Sequence, residues 1–93
     1  MLPPSDIQHI VHAIYIAEGG SHTKHPYGIL SVHTKHPAQV CQRTIEHAAK
    51  DYKAVKVDRC FIHYLASRYC PASSDLQGNV NWNNNVIRIL HIQ

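Results

Sequence analysis

The sequence contains no apolar run approaching the roughly 20 residues needed to cross a bilayer. Its first residues, Met1-Leu2-Pro3-Pro4-Ser5, carry neither the basic nor the apolar region of a secretory signal. Three readings stay open there: a cytosolic chain, export by another route, or a trimmed start. Lysine and arginine total nine and are scattered, with no stripe interleaved with aromatics, which argues against nucleic acid as the partner. No segment alternates apolar and polar residues in the manner of a half-buried strand. No H-E-x-x-H pair is present to seat zinc on a helix. Cysteines number three, Cys41, Cys60 and Cys70, so at least one thiol is unpaired. Each lies within an apolar helical pattern or at its end, a poor setting for a nucleophile. Cys60 and Cys70 fall ten residues apart on one predicted helix. That is about 15 Å of rise, well beyond the roughly 7 Å a disulfide permits. A bridge from Cys41 stays open, but free thiols acting as small apolar residues are the expectation.

What is present suits a globular chain. Its 93 residues bound one domain over positions 1–93, since a chain of this size has no room for a second core. With 44% hydrophobic and 16% charged residues the composition is not that of a disordered segment. Net charge is +3 with nine histidines neutral, and it rises steeply below about pH 6.5. A polyanionic partner such as a cell-wall polymer is mildly favoured.

Apolar spacing predicts four helices and an all-α domain. Ile7, Ile10, Val11, Ile14 and Ala17 follow a 3.6 period over 6–18, with Ser5 and Gln8 at capping-box spacing. Gly19 and Gly20 then stop the helix, one of them in a left-handed conformation. The pentapeptide HTKHP occurs at 22–26 and again at 33–37, and between the copies the apolar Tyr27 to Val32 reads as an irregular crossing segment, with a short strand as the alternative. Pro37 begins a second helix with Val40, Cys41, Thr44, Ile45, Ala48 and Tyr52 inward, and Glu46 and Lys50 form an outer i,i+4 pair. Asp58 caps a third, with Phe61, Ile62, Leu65 and Tyr69 on its face, ended by Pro71. The polar stretch 71–81 reads as a surface loop, and Asn79 or Asn81 as the cap of a last helix bearing Trp82, Val86, Ile89 and Leu90.

Glu18 is the residue these elements surround. It stands four after Ile14, on or beside the core-facing stripe, in the last turn of its helix. Partial burial and the negative end of the helix dipole both favour its protonated form. A carboxylic acid protonated near neutrality is what glycosidic cleavage uses to protonate the leaving oxygen. The plainer alternative is a helix-end glutamate that is solvated or paired with Lys24 or Arg68. A hydrolase would want a second carboxylate about 5–9.5 Å away. Asp75 is the candidate, Asp58 being better explained as a cap.

Glu18 after an apolar helix, Gly28-Ile29-Leu30-Ser31 ten residues on, Ala66-Ser67-Arg68-Tyr69-Cys70-Pro71, and then Asn81-Trp82 with Val86 follow one order along nearly the whole chain. In that order the sequence resembles the lysozyme-like lytic transglycosylases. It is similar also to small bacterial and phage-type members carrying Ala-Glu-Gly-Gly, Pro-Tyr-Gly-Ile and Asn-Trp segments. Gly19 stands where the family has Ser, Ser31 where it has Gln, Cys70 where it has Asn, and Trp82 replaces a late tyrosine. The resemblance implies a small lysozyme-like helical domain with an active-site cleft between the Glu18 helix end and the 67–82 region. It implies cleavage of the β-1,4 link between N-acetylmuramic acid and N-acetylglucosamine in peptidoglycan. Glu18 would be the single acid and then base, no cofactor would be required, and the place of action would be periplasmic or extracellular. Tyr27, Ser31 and Tyr69 would orient the acid or the sugar, and Trp82 would either stack on a sugar face or belong to the core.

Two other classes compete. One is a non-catalytic glycan-binding or structural domain of the same shape. The other is a metal-binding protein, since His22, His25, His33 and His36 form two H-x-x-H pairs that could close a zinc, nickel or copper site.

Overall fold

Among the described residues four α-helices carry the chain: α1 (Pro4–Ala17), α2 (Pro37–Tyr52), α3 (Arg59–Ala66) and α4 (Leu76–Leu90), with one 3-10 turn at Gly20–His22. This is a computed structural model and describes residues 2–28 and 34–92. Among those residues there is no strand, and no helix is long and apolar enough to cross a membrane. The all-α expectation holds.

The core is where the four periodic faces meet. α1 packs on α4 and α2, and α3 packs on the same two helices. Ile10 and Ile14 from α1, Cys41 and Ile45 from α2, Phe61, Ile62 and Leu65 from α3, and Val86 from α4 are fully buried. Each large aliphatic or aromatic side chain so removed from water contributes about 1.5–3 kcal/mol. The helical histidines His9, His12, His47, His63 and His91 are all exposed. Tyr52 is exposed too, its ring lying beside Phe61 and Tyr64 at 5.8 and 5.0 Å between centroids.

Several boundaries differ from those the sequence suggested. The first helix begins at Pro4 rather than residue 6, with Pro3 as N-cap and no side-chain cap bond, so Ser5 lies inside the helix and closes no capping box. Proline at the first position costs nothing there, because that N–H would have no helical partner. The third helix ends at Ala66, well before Pro71; Tyr69 and Cys70 follow in turns whose N–H groups both bond Ala66 O. Cys60 and Cys70 therefore do not share a helix, and all three cysteines are free. Only Cys41 is a fully buried thiol; Cys60 is exposed and Cys70 half-buried.

The largest correction is at the last helix. Residues 76–81 are its first turns and not loop, and its cap is Asp75, which accepts from Gly78 N at 3.0 Å, not Asn79 or Asn81. Asn79 instead donates to Cys70 O at 2.8 Å and so ties the incoming loop to the helix. Asp58 does cap α3, accepting from Phe61 N at 2.9 Å.

Both copies of the pentapeptide make the same local bond. His25 N donates to Thr23 Oγ1 at 3.3 Å, and His36 N to Thr34 Oγ1 at 3.0 Å. In each case the threonine shapes a turn one residue ahead of a proline, so the repeat has a conformational meaning. Most of the expected crossing segment, including Ser31, and also His33 lie outside the described residues.

Candidate active site

α1 delivers Glu18 as its C-cap, the backbone N–H still bonded to Ile14 O at 2.9 Å. Gly19 follows with φ +100 and Gly20 with φ +57, both left-handed, so the double glycine turns the chain away at once. Glu18 is thereby left half-buried at the helix end, where it forms the wall of a cleft of about 330 Å³. The other walls are Ala17, Tyr69, Cys70, Gly78, Trp82 and Asn85. Glu18 is the one carboxylate among these described lining residues.

Burial raises the pKa of Glu18 above the ordinary carboxylate value of 4.5, and the neighbouring Trp82 draws it part of the way back. The C-terminal end of α1 adds to the upward push. Arg68 does not neutralise it: its guanidinium sits on Asp51 at 2.9 Å and on the Tyr64 hydroxyl at 3.0 Å. The plain ion-paired role for Glu18 through Arg68 is therefore absent.

The aromatic wall is built in layers. Tyr69 and Trp82 are stacked, with centroids 5.2 Å apart and planes at 18°. Below them the Tyr69 hydroxyl and the Cys41 thiol share a hydrogen bond of 3.2 Å. Burial pushes the Cys41 thiol up to about 11, against the bond to Tyr69 and helped by the neighbouring Glu18 charge; the Tyr69 hydroxyl is driven above its usual value by burial, by Cys41 and by Glu18. Both groups thus stay protonated and neutral through the physiological range.

Gly28 completes the arrangement from the loop side. It is buried, with φ +86 and its N–H bonded to His25 O at 2.9 Å. A Cβ there would stand 3.5 Å from Glu18 Oε1 and 3.3 Å from Tyr69 Cδ1. Gly78 plays a similar part on α4, where a Cβ would come within 2.9 Å of Cys70 Sγ and closer still to the Asp75 carboxylate.

The sequence-derived site residues separate in the structure. Glu18, Tyr69 and Trp82 come together in the cleft. Tyr27 is not among the cleft-lining residues; it is half-buried with its ring edge-on to Tyr15, centroids 5.3 Å apart, and burial raises its pKa. Ser31 lies outside the described residues. Trp82 is 7% exposed, stacked on Tyr69 and part of the buried core, so of its two expected roles the core one fits its placement. Asp75 serves as the helix cap described above. Among the described residues no three His, Cys, Asp or Glu side chains converge as a metal would require, so His22, His25 and His36 form no such group; His33 falls outside that description.

Asn85 and Gly78 were not anticipated. Asn85 lies three residues beyond Trp82 on one helix, a spacing that puts both on one face. A larger hollow of about 700 Å³ lies elsewhere, walled by Ile7 of α1, Ala49 of α2, and Leu2 and Ala54 just outside those helices, among others. It holds none of the candidate residues, so chemistry and not size selects the smaller cleft. Compared with protein-family models, curated proteins and solved structures, the chain finds no match.

Proposed function

We propose that this protein is a peptidoglycan-cleaving lytic transglycosylase using Glu18 as its only acid and base. The observation that carries the reading is one half-buried carboxyl, biased toward its protonated form by burial, in a cleft with no second carboxylate among its described walls. That is the one-acid arrangement implied by the resemblance noted in the sequence. Glu18 gives its proton to the glycosidic oxygen as the C1–O bond of N-acetylmuramic acid breaks and the N-acetylglucosamine hydroxyl departs. The resulting carboxylate takes the proton of the muramic 6-hydroxyl, whose oxygen closes on C1 to form the 1,6-anhydro ring. Glu18 ends the cycle protonated, so atoms and charge balance without a water molecule.

The neighbouring groups fit these two roles. Cys41 and Tyr69 place no charge beside Glu18, because burial keeps both protonated. Asp75 is engaged at Gly78 N, which argues against its acting as a hydrolase's second carboxylate. Tyr69 is a positioning residue for the wall, and Ser31 is proposed to orient the sugar on the resemblance alone. The partner would be peptidoglycan glycan strands, met in the periplasm or outside the cell.

The test is digestion of purified peptidoglycan by the native chain and by Glu18→Gln, with mass spectrometry of the released sugars. Anhydro-muropeptides from the native chain alone are expected. Reducing-end products would make it a hydrolase. Release from neither would overturn catalysis and leave glycan binding, which a titration of soluble muropeptides surviving Glu18→Gln would establish.

A further inference from the structure

The Trp82 indole Nε1 is buried and, among the described residues, makes no hydrogen bond in a geometry that would satisfy it. A buried donor without a partner costs about 1–3 kcal/mol, so a native structure that keeps one calls for an explanation. Its ring cannot turn freely to find another acceptor. One face is stacked on Tyr69, and Tyr69 is in turn held by the Cys41 thiol at 3.2 Å. Trp82 lines the same cleft as Glu18. A Cβ placed on Gly28 would meet both Glu18 Oε1, at 3.5 Å, and Tyr69 Cδ1, at 3.3 Å, so the carboxyl lies near the tyrosine ring on which Trp82 stacks.

We propose that Trp82 is a positioning residue whose indole N–H takes the Glu18 carboxylate as its partner once Glu18 has given up its proton. The proposal rests on the reading of Glu18 as the reacting acid. A neutral carboxyl offers a weak acceptor, and the N–H is then left without a good bond. An anionic carboxylate is a far stronger acceptor, and charge-assisted bonds of this kind are about twice as strong as neutral ones. The N–H would therefore favour the form of Glu18 that must act as base in the second half of the reaction. It would also fix the direction from which that base approaches the hydroxyl. Burial favours the acid and Trp82 favours the base, so the two act on one group in opposite senses.

The groups that face Glu18 leave this role to Trp82. α2 contributes the Cys41 thiol, and the turn after α3 contributes the Tyr69 hydroxyl and the Cys70 thiol. Burial holds the first two neutral. From α4 the cleft receives Trp82, Asn85 and Gly78, none of them charged, and the nearby Asp75 is occupied at Gly78 N. Within the described cleft walls no cation is present to hold the anion instead.

The chain suits a direct test, having one tryptophan and, as its glutamates, Glu18 and Glu46 alone. Glu18 is titrated by carbon NMR in protein labelled at the glutamate carboxyl, with Glu46→Gln assigning the signals. The same titration is made after replacing Trp82 with a benzothienylalanine, in which sulfur stands for the N–H and the stacking face is retained. An upward shift of about half a pH unit or more in the Glu18 midpoint is expected, because the N–H no longer favours the anion. In the native chain the indole N–H resonance should move with the same midpoint and cease to do so in Glu18→Gln. An unchanged midpoint in the isostere, or an indole signal indifferent to Glu18, would overturn the proposal. Neither readout requires cleavage, so coupling without product would count against the transglycosylase reading alone, and product without coupling against Trp82 alone.

Discussion

Gly28 lies directly against the Glu18 carboxylate: a Cβ at Gly28 would stand 3.5 Å from Oε1, and the same atom would press on Tyr69 at 3.3 Å. Its φ of +86 is one that residues with a side chain adopt only under strain. Gly28→Ala is therefore expected to destabilise the protein by about 1–2 kcal/mol, from the backbone conformation and the crowded ring together. Urea denaturation would measure the loss. Cleavage should fall by more than the folded fraction does, because the Tyr69 ring that must give way at 3.3 Å is a wall of the cleft that holds the reacting group. A variant as stable and active as the native chain would show that this contact does not shape the site.

Glu18 was legible in the sequence because two independent signals converge on it. The apolar period of Ile7, Ile10, Val11 and Ile14 runs straight into it, and the glycine pair makes it the final turn. The opposite case is the start of α4. In its first turns Leu76, Gln77, Val80 and Asn81 are exposed, Leu76 itself to 65%, so no apolar period marks them. They are held by local bonds instead, Asp75 to Gly78 N and Gln77 Nε2 to Asn81 Oδ1 at 3.0 Å. A polar run rich in turn formers looks the same on paper whether or not it is helical. The aromatic wall was half legible for a related reason. Tyr69 and Trp82 could be named as candidates, but their stacking depends on how α3 and α4 approach, which no local pattern encodes.

The raised pKa of Glu18 makes a signed prediction for stability. A carboxyl whose folded-state pKa exceeds its unfolded value binds its proton more tightly when folded. Its contribution is fully present below about pH 4.5 and is lost as pH rises through the higher folded value. Glu18→Gln mimics the protonated form at every pH. The variant should therefore match the native chain near pH 4 and be more stable than it near pH 8. Thermal unfolding at the two pH values decides the matter. A variant less stable at pH 8 would mean that the ionised carboxylate is stabilised on balance in the fold.

Asp75 separates a structural from a catalytic carboxylate. Its side chain accepts from Gly78 N at 3.0 Å, and loss of such a cap costs about 0.5–2 kcal/mol. Asp75→Ala should lower stability by that amount, and Asp75→Asn, which keeps an accepting oxygen, should restore most of it. Under conditions where both variants are folded, the sugars released from peptidoglycan should have the same masses and yields as with the native chain. A loss of product in Asp75→Asn with stability intact would instead give the carboxylate a part in the chemistry.

The thiols offer a test of the layer beneath the cleft. Cys41 is fully buried, and at a pKa of about 11 only about one thiol in a thousand would be ionised at pH 8. Cys60 is exposed on α3. Iodoacetamide at pH 8 should therefore alkylate Cys60 readily and Cys41 only when the fold opens, which peptide mapping by mass spectrometry would resolve. Tyr69→Phe removes the hydroxyl that shares the 3.2 Å bond with Cys41 and should cost about 0.5–1.5 kcal/mol. It leaves the ring stacked on Trp82, so any fall in cleavage should follow from stability and be recovered at lower temperature. Labelling of Cys41 at the rate of Cys60 without denaturant would mean that this layer opens far more often than a sealed core allows. The wall that holds Trp82 beside Glu18 would then lack a rigid base.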